Sequence, residues 1–314
     1  MTFDVARFGD RDYWLELNPE LTISDIPSRG AGSAARSLAA GEVDAQAGQF
    51  PTTGWMEFGD LLDPDRCRLL ATALDRLVDA GIPTPFLYVY DEVWQLFLEA
   101  QEMLSGVLGE HYLVGGDIWV WHVSPESNTA GWAPHRDDNL GDGWLDDGRP
   151  AMITIWVALT EATIDNGCMY ILPTDRDTNV PDNLKVREID RYDLPGIRAM
   201  PATPGSIMAW STRLLHWGGK ASSTAEHARM SLAIYVQRAD ADPYHDDMLD
   251  PTGSVPLHYR LGVISRALRI YEDSRMAGTA VSDAVLEFAD EQRERLEAWL
   301  AMVEQLEASG RTLA

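Results

Sequence analysis

Hydrophobic spacing divides the chain into a helical stretch, a strand-rich stretch and a closing helix. Between residues 60 and 108 apolar positions recur at helical intervals. Asp63-Pro64 suits a helix start, with Asp as cap and Pro at the first helical position. Leu69, Leu70, Ala73, Leu74, Leu77 and Val78 then form one apolar stripe. A second helix is predicted over Asp91–Leu108, carrying Val93, Leu96, Phe97, Ala100, Met103, Leu104 and Leu108, with Trp94 on its flank. A closing helix is predicted from Ser282 to Glu307, its apolar face covering a sheet or pairing with a second subunit as a homodimer.

From 115 to 238 the pattern becomes short apolar runs divided by turns. Ala151–Leu159 is rich in Ile, Val and Trp, as a buried strand would be. Asp165-Asn166-Gly167 is a hairpin signal, because Asn and Gly tolerate positive φ, and Cys168–Leu172 reads as the returning strand, ended by Pro173. Pro204-Gly205-Ser206 turns into Ile207–Trp210. Arg229–Val236 alternates Arg, Ser, Ala, Tyr with Met, Leu, Ile, Val, the pattern of a half-buried strand. The fold class expected is mainly β with flanking helices, around a jelly roll of two facing sheets. We expect one domain over 1–314: an N-terminal segment and helices to 114, the core at 115–238, and a helical extension from 239. Gly30–Ala35 and the charged insertion 175–198 are expected to be a loop or lid.

Composition narrows the class. A formal charge of −25 argues against nucleic acid or an anionic membrane as partner, since both need basic surface. No apolar stretch approaches the roughly 20 residues of a spanning helix, and no charged-then-apolar leader opens the chain, so a cytoplasmic location is expected. Cys67 and Cys168 do not make a disulfide framework and are expected to be reduced and buried.

The candidate chemistry lies in His135-Arg136-Asp137 and a distant His216. Two histidines and a carboxylate can cover one face of an octahedral metal and leave the other open, the arrangement that suits Fe(II) in non-haem oxygenases. The i, i+2 spacing fits extended chain, where alternate side chains share a face. On a helix the two would diverge by roughly 200°. Pro134 biases Ala133 toward extended geometry as well. A second HxD, His245-Asp246-Asp247, follows a polar turn and reads as a solvated loop. His227 and His258 compete with His216 only weakly, and His122 reads as a core residue rather than a cavity one.

Four blocks in order resemble the phytanoyl-CoA dioxygenase family of Fe(II)/2-oxoglutarate oxygenases. They are Pro134–Asp137; Ile155–Ala162 running into Asn166–Pro173; Pro204–Trp210 ending at His216; and Arg229–Tyr235. The W-x-A-L, N-G-C and P run of the second block is the most specific. The resemblance implies a double-stranded β-helix core, with iron held by His135, Asp137 and His216. It implies 2-oxoglutarate and O2 as co-reactants. Arg229, thirteen residues past His216, would hold the distal carboxylate of the keto acid through its planar fork, with Ser231 on the same strand face. Trp156 and Thr154 are further cosubstrate candidates. The implied reaction is by default hydroxylation of an unactivated C–H bond of a small-molecule substrate, with release of succinate and CO2; desaturation, ring closure or epimerisation would use the same ligands. Related halogenases replace the carboxylate ligand by a small residue, so Asp137 disfavours halogenation. A cupin-type non-redox metal enzyme and a catalytically silent 2-oxoglutarate-binding protein are the alternatives. Candidate pocket walls are the Trp-rich stretch 117–132 and the loop 138–149, with Arg136, Arg149 and Arg198 as possible substrate anchors.

Overall fold

The computed structural model describes residues 3–27, 36–126, 130–137, 143–146, 148–180, 194–245, 248–272 and 281–308. Among them eight strands form two antiparallel sheets. The larger uses β1 (Trp55–Phe58), β2 (Tyr112–Val123), β3 (Met152–Ala158), β6 (Ile207–Trp210) and β8 (Arg229–Arg238), in the order β1-β6-β3-β8-β2. The smaller uses β4 (Met169–Leu172), β5 (Arg198–Met200) and β7 (Leu215–Gly218), in the order β5-β4-β7. The segment before Asp137 extends the small sheet. His135 and His216 exchange both backbone hydrogen bonds at 3.0 Å, and Ala130 bridges Lys220. This is the double-sheet jelly roll expected from the sequence.

Side-chain alternation assigns the two faces of the large sheet. Ile153, Ile155 and Val157 of β3, Ile207 and Ala209 of β6, and Met230, Leu232, Ile234 and Val236 of β8 enter the main core with the helices. Trp156, Met208, Trp210 and Ala233 point the other way, toward the small sheet. Arg229–Val236 was expected to be half-buried, yet β8 is buried along its whole length. It is a central strand, flanked by β2 and β3, and its polar face is turned to the interior between the sheets rather than to water.

A second difference concerns Cys168–Leu172. Asn166 and Gly167 do make the expected turn: Gly167 has φ +83°, and Asn166 Oδ1 accepts from the Thr163 N–H at 2.7 Å. The chain does not return beside β3, however. Both edges of β3 are already filled by β6 and β8, so β4 crosses to the small sheet and pairs with β5 and β7.

Helices α1 (Arg11–Leu17), α2 (Glu42–Thr53), α3 (Pro64–Asp79), α4 (Asp91–Glu99) and α5 (Gln101–Leu108) precede or interrupt the early strands. Asp63 caps α3 as expected, its side chain accepting from the Asp65 N–H at 2.9 Å. The predicted 91–108 helix is broken at Ala100. The break follows Glu99, whose buried carboxylate pairs with Arg66 of α3 and accepts from the Asp63 N–H. Trp94, expected on a flank, is fully buried and donates to the Tyr88 carbonyl at 2.9 Å.

The helical extension comprises α6 (Leu257–Ile270) and α7 (Asp283–Ala308). α6 lies against β2, and α7 lies on α6 rather than directly on a sheet. Gly262 permits this, since a Cβ there would stand 2.6 Å from the Leu296 side chain. Cys67 and Cys168 are free and buried. No described helix is long and apolar enough to cross a membrane. Residues 30–35 and most of the 175–198 insertion (181–193) lie outside the described residues, as do Asp246 and Asp247 of the second HxD.

Candidate metal centre

Between the sheets lies a cavity whose wall includes His135, Asp137, His216 and Arg229. The first three gather because the His135 segment and β7 are neighbours in one sheet. Their candidate ligand atoms lie within 4.8 Å of one another. The Nε2 atoms of His135 and His216 are 3.7 and 3.8 Å from Asp137 Oδ1.

Each group is oriented by its other polar atom. His135 Nδ1 lies 2.8 Å from the Ala133 carbonyl, and His216 Nδ1 lies 3.0 Å from that of Leu214. A carbonyl can only accept, so both Nδ1 atoms carry the proton and both Nε2 lone pairs face the shared centre. Asp137 Oδ2 accepts from Thr154 Oγ1 at 2.7 Å and Trp210 Nε1 at 3.0 Å, which leaves Oδ1 for the centre. Such outer contacts fix ligand orientation in metal sites.

Electrostatics follow from burial. Burial alone would raise the Asp137 pKa, but electrostatic attraction from His216 and His135 and the two hydrogen bonds outweigh it and hold the carboxyl below its ordinary value. Burial, reinforced by His135, pushes His216 down to about 4, so it is neutral at physiological pH. His135 Nε2 is buried without a hydrogen-bond partner, as a donor kept for a cation would be. Two imidazoles and a carboxylate suit a divalent transition metal.

Arg229 forms the other pole of the cavity. It is fully buried, and burial lowers its pKa to about 10, which leaves it cationic at neutral pH. Nη1 donates to Ser231 Oγ at 2.8 Å, whereas Nε and Nη2 have no hydrogen-bond partner. A buried guanidinium with unmet donors is costly unless an anion completes it. Glycine makes the room: a Cβ on Gly218 would sit 2.7 Å from Gly131 Cα and 3.1 Å from Arg229 Nη2.

The remaining sequence candidates have distinct places. Thr154 supports Asp137. Trp156 is buried between the sheets on the same strand face as Thr154, outside the described cavity wall, with its Nε1 lacking a partner. His122 faces Asp75 of α3 at 3.1 Å, and His227 is exposed. Arg136 is buried in an ion pair with Asp177, and Arg149 and Arg198 are exposed. The Trp-rich stretch does line the cavity, through Asp117, Trp119, Trp121 and Trp132. Sequence reasoning missed Trp210 and Tyr271. Strand alternation placed Trp210 on the face of Met208, a usable signal; Tyr271 follows α6 and gave none.

The class that fold and site define is a jelly roll whose two histidines and one carboxylate, set between its sheets, could hold a metal ion. Residues 86–231 match the family model described as phytanoyl-CoA dioxygenase (PhyH). The dioxygenase FrzG of Cladobotryum sp. is 29% identical over 189 residues, covering 55% of this chain and 60% of that relative's length. Among solved structures, the epimerase SnoN, in complex with Fe3+, alpha-ketoglutarate and nogalamycin RO, matches with a TM-score of 0.50 at 15% identity, covering 66% of this chain and 88% of SnoN. The non-haem monooxygenase ThoJ, as its Ni complex, matches at TM-score 0.50 and 16% identity, covering 81% of this chain and 99% of ThoJ. At such identities these likenesses speak for the fold alone.

Proposed function

We propose that the protein is an Fe(II)/2-oxoglutarate-dependent dioxygenase that hydroxylates an unactivated C–H bond of a small molecule, releasing succinate and CO2. The observation that carries this is Arg229: a buried cation with unmet donors in the same cavity wall as the His135–Asp137–His216 cluster. A non-redox cupin-type enzyme would not need it. FrzG is named a dioxygenase, and the match of residues 86–231 to the PhyH family model supports the same reading.

In this reading His135, Asp137 and His216 hold the iron, and Arg229 with Ser231 holds the distal carboxylate of the keto acid. The bound iron and keto acid together supply oxygen activation, coupled to decarboxylation, and the oxidising power that C–H cleavage requires. The protein supplies position and dryness. Thr154 and Trp210 keep one Asp137 oxygen engaged and the other aimed at the metal. Met169, Trp210 and Ala233 give the cavity an apolar wall, and buried Trp156 packs in the same cluster. Asp137 itself supports hydroxylation over halogenation, since a carboxylate holds the coordination position that a halide would need. We also infer that the chain acts as one domain, because a single apolar cluster runs from Phe8 to Leu296.

Anaerobic addition of 2-oxoglutarate to the Fe(II)-loaded protein tests the assignment. Chelation by the keto acid should produce a visible charge-transfer band, and Arg229→Ala should shift its half-saturation to higher 2-oxoglutarate. A protein that binds Fe(II) but develops no band would sink the proposal.

A further inference from the structure

The cavity contains a second carboxylate that the oxidation chemistry does not employ. Asp117 is 6% exposed and lines the wall. It is brought there by an irregularity in β2. Gly115 pairs with Tyr235 and Ile118 with Ile234, so two residues of β2 are inserted against one step of β8. Bulges of this kind re-aim side chains beside active sites. Asp117 Oδ1 lies 4.0 Å from His245 Nε2.

Aromatic rings line the same cavity. Trp119 and Trp121 come from β2, Trp132 from the segment before His135, and Tyr271 from the end of α6. Trp132 is tilted against Trp119 by 38° and against Tyr271 by 43°, and two further pairs cross steeply. Trp119 and Tyr271 meet at 73° with centroids 4.8 Å apart, and Trp121 and Trp132 at 74° with centroids 5.5 Å apart. Trp132 also stands 5.4 Å from the His135 ring, which ties this corner to the metal centre. Aromatic faces attract organic cations, and several rings together form the cages that bind quaternary ammonium groups; a nearby carboxylate adds the attraction of opposite charge.

We propose that this corner is the substrate subsite and that it takes an organic cation, a protonated amine or a quaternary ammonium, held by Asp117 and the faces of Trp119, Trp132 and Tyr271. The proposal rests on the oxygenase reading for which part of the cavity the cosubstrate fills. In that reading the ferrous dication, the keto-acid dianion, Asp137 and Arg229 sum to zero charge. The centre therefore does not repel a cation, while Asp117 attracts one. Burial and then the charge of Asp117 raise the Tyr271 pKa. The formal charge of −25 acts in the same direction at longer range.

The test compares cations with uncharged counterparts at constant ionic strength. The probe pairs are benzylammonium against benzyl alcohol, and choline against 3,3-dimethylbutan-1-ol. Binding is read by tryptophan fluorescence, and separately by the shift of the visible band of the anaerobic Fe(II)/2-oxoglutarate protein. In the wild type at least one cation should bind about tenfold or more tightly than its counterpart. Asp117→Asn should weaken that cation about ten- to a hundredfold, the worth of a charge-assisted contact, and leave the uncharged probe unchanged. The 2-oxoglutarate titration of this variant should match wild type. Should Asp117→Asn fail to fold by thermal melt, Trp132→Leu should reduce the cation preference severalfold instead. The proposal is overturned if neither cation outbinds its counterpart, or if the preference survives these substitutions. Absence of the keto-acid band in wild type would instead remove the oxygenase reading, and the fluorescence titration would still report on the cation site.

Discussion

Arg136, the middle residue of the HxD tripeptide, is locked to Asp177 by an ion pair in which neither side chain is exposed. The same guanidinium donates to the Arg213 carbonyl at 3.0 Å. One side chain thus ties the segment that carries His135 and Asp137 to the 3-10 turn after β4 and to the turn that leads to His216. Removing one partner of a buried pair strands a charge and costs about 3–5 kcal/mol, while replacing both by apolar residues is often near neutral. We predict that Asp177→Ala lowers unfolding stability by that amount in urea titration. Arg136→Leu combined with Asp177→Ala should recover most of it. Equal losses in the single and double variants would show that the pair is not the source of the effect.

His135→Ala, Asp137→Ala and His216→Ala should each abolish stoichiometric Fe(II) binding and turnover. The apolar core is built elsewhere, so circular dichroism should stay close to that of wild type. Metal content after anaerobic loading is the deciding measurement. Normal iron in His216→Ala would exclude it as a ligand and reopen the case for His245.

Trp210→Phe keeps an aromatic ring, though a smaller one, and deletes the donor to Asp137 Oδ2, and Thr154→Val deletes the other. Loss of such a supporting contact typically costs 10–100-fold in metal affinity or activity, so each variant should need roughly that much more Fe(II) for half-saturation. The 2-oxoglutarate requirement at saturating iron should change little. The opposite split, with iron unaffected and the keto acid weakened, would place Thr154 on the cosubstrate instead.

Arg229→Ala should raise the 2-oxoglutarate requirement about ten- to a hundredfold, because a buried charged hydrogen bond contributes roughly 1.5–3 kcal/mol. Gly218→Ala should weaken the keto acid in the same direction without touching the charge. Its new methyl would crowd Gly131 Cα and press on Arg229 Nη2. Half-saturation of the visible band in each variant measures both effects. Unchanged cosubstrate affinity in Arg229→Ala would move the role to another cation.

Much of this was legible in the residues because it depends on local rules. The cap at Asp63, the helical stripe from Leu69 to Leu77, the turn at Asn166-Gly167 and the alternation of β8 are set by backbone preference and by which side of an element is apolar. The spacing of His135 and Asp137 likewise carries its own geometry, since extended chain places i and i+2 on one face. What those rules cannot supply is the neighbour. Alternation showed that Arg229 and Ser231 share a face of β8 but not whether that face meets water or a second sheet. The sheet order decided this by placing β8 between β2 and β3 with the small sheet opposite. The same holds for β4, which local pattern assigns to a hairpin and the filled edges of β3 send elsewhere. Asp137 acquires its orientation from Trp210, 73 residues away, and the cavity acquires Asp117 through a slip in register between β2 and β8. Contacts of that span are fixed by how whole sheets pack, so tertiary structure alone settles which polar groups share one dry cavity.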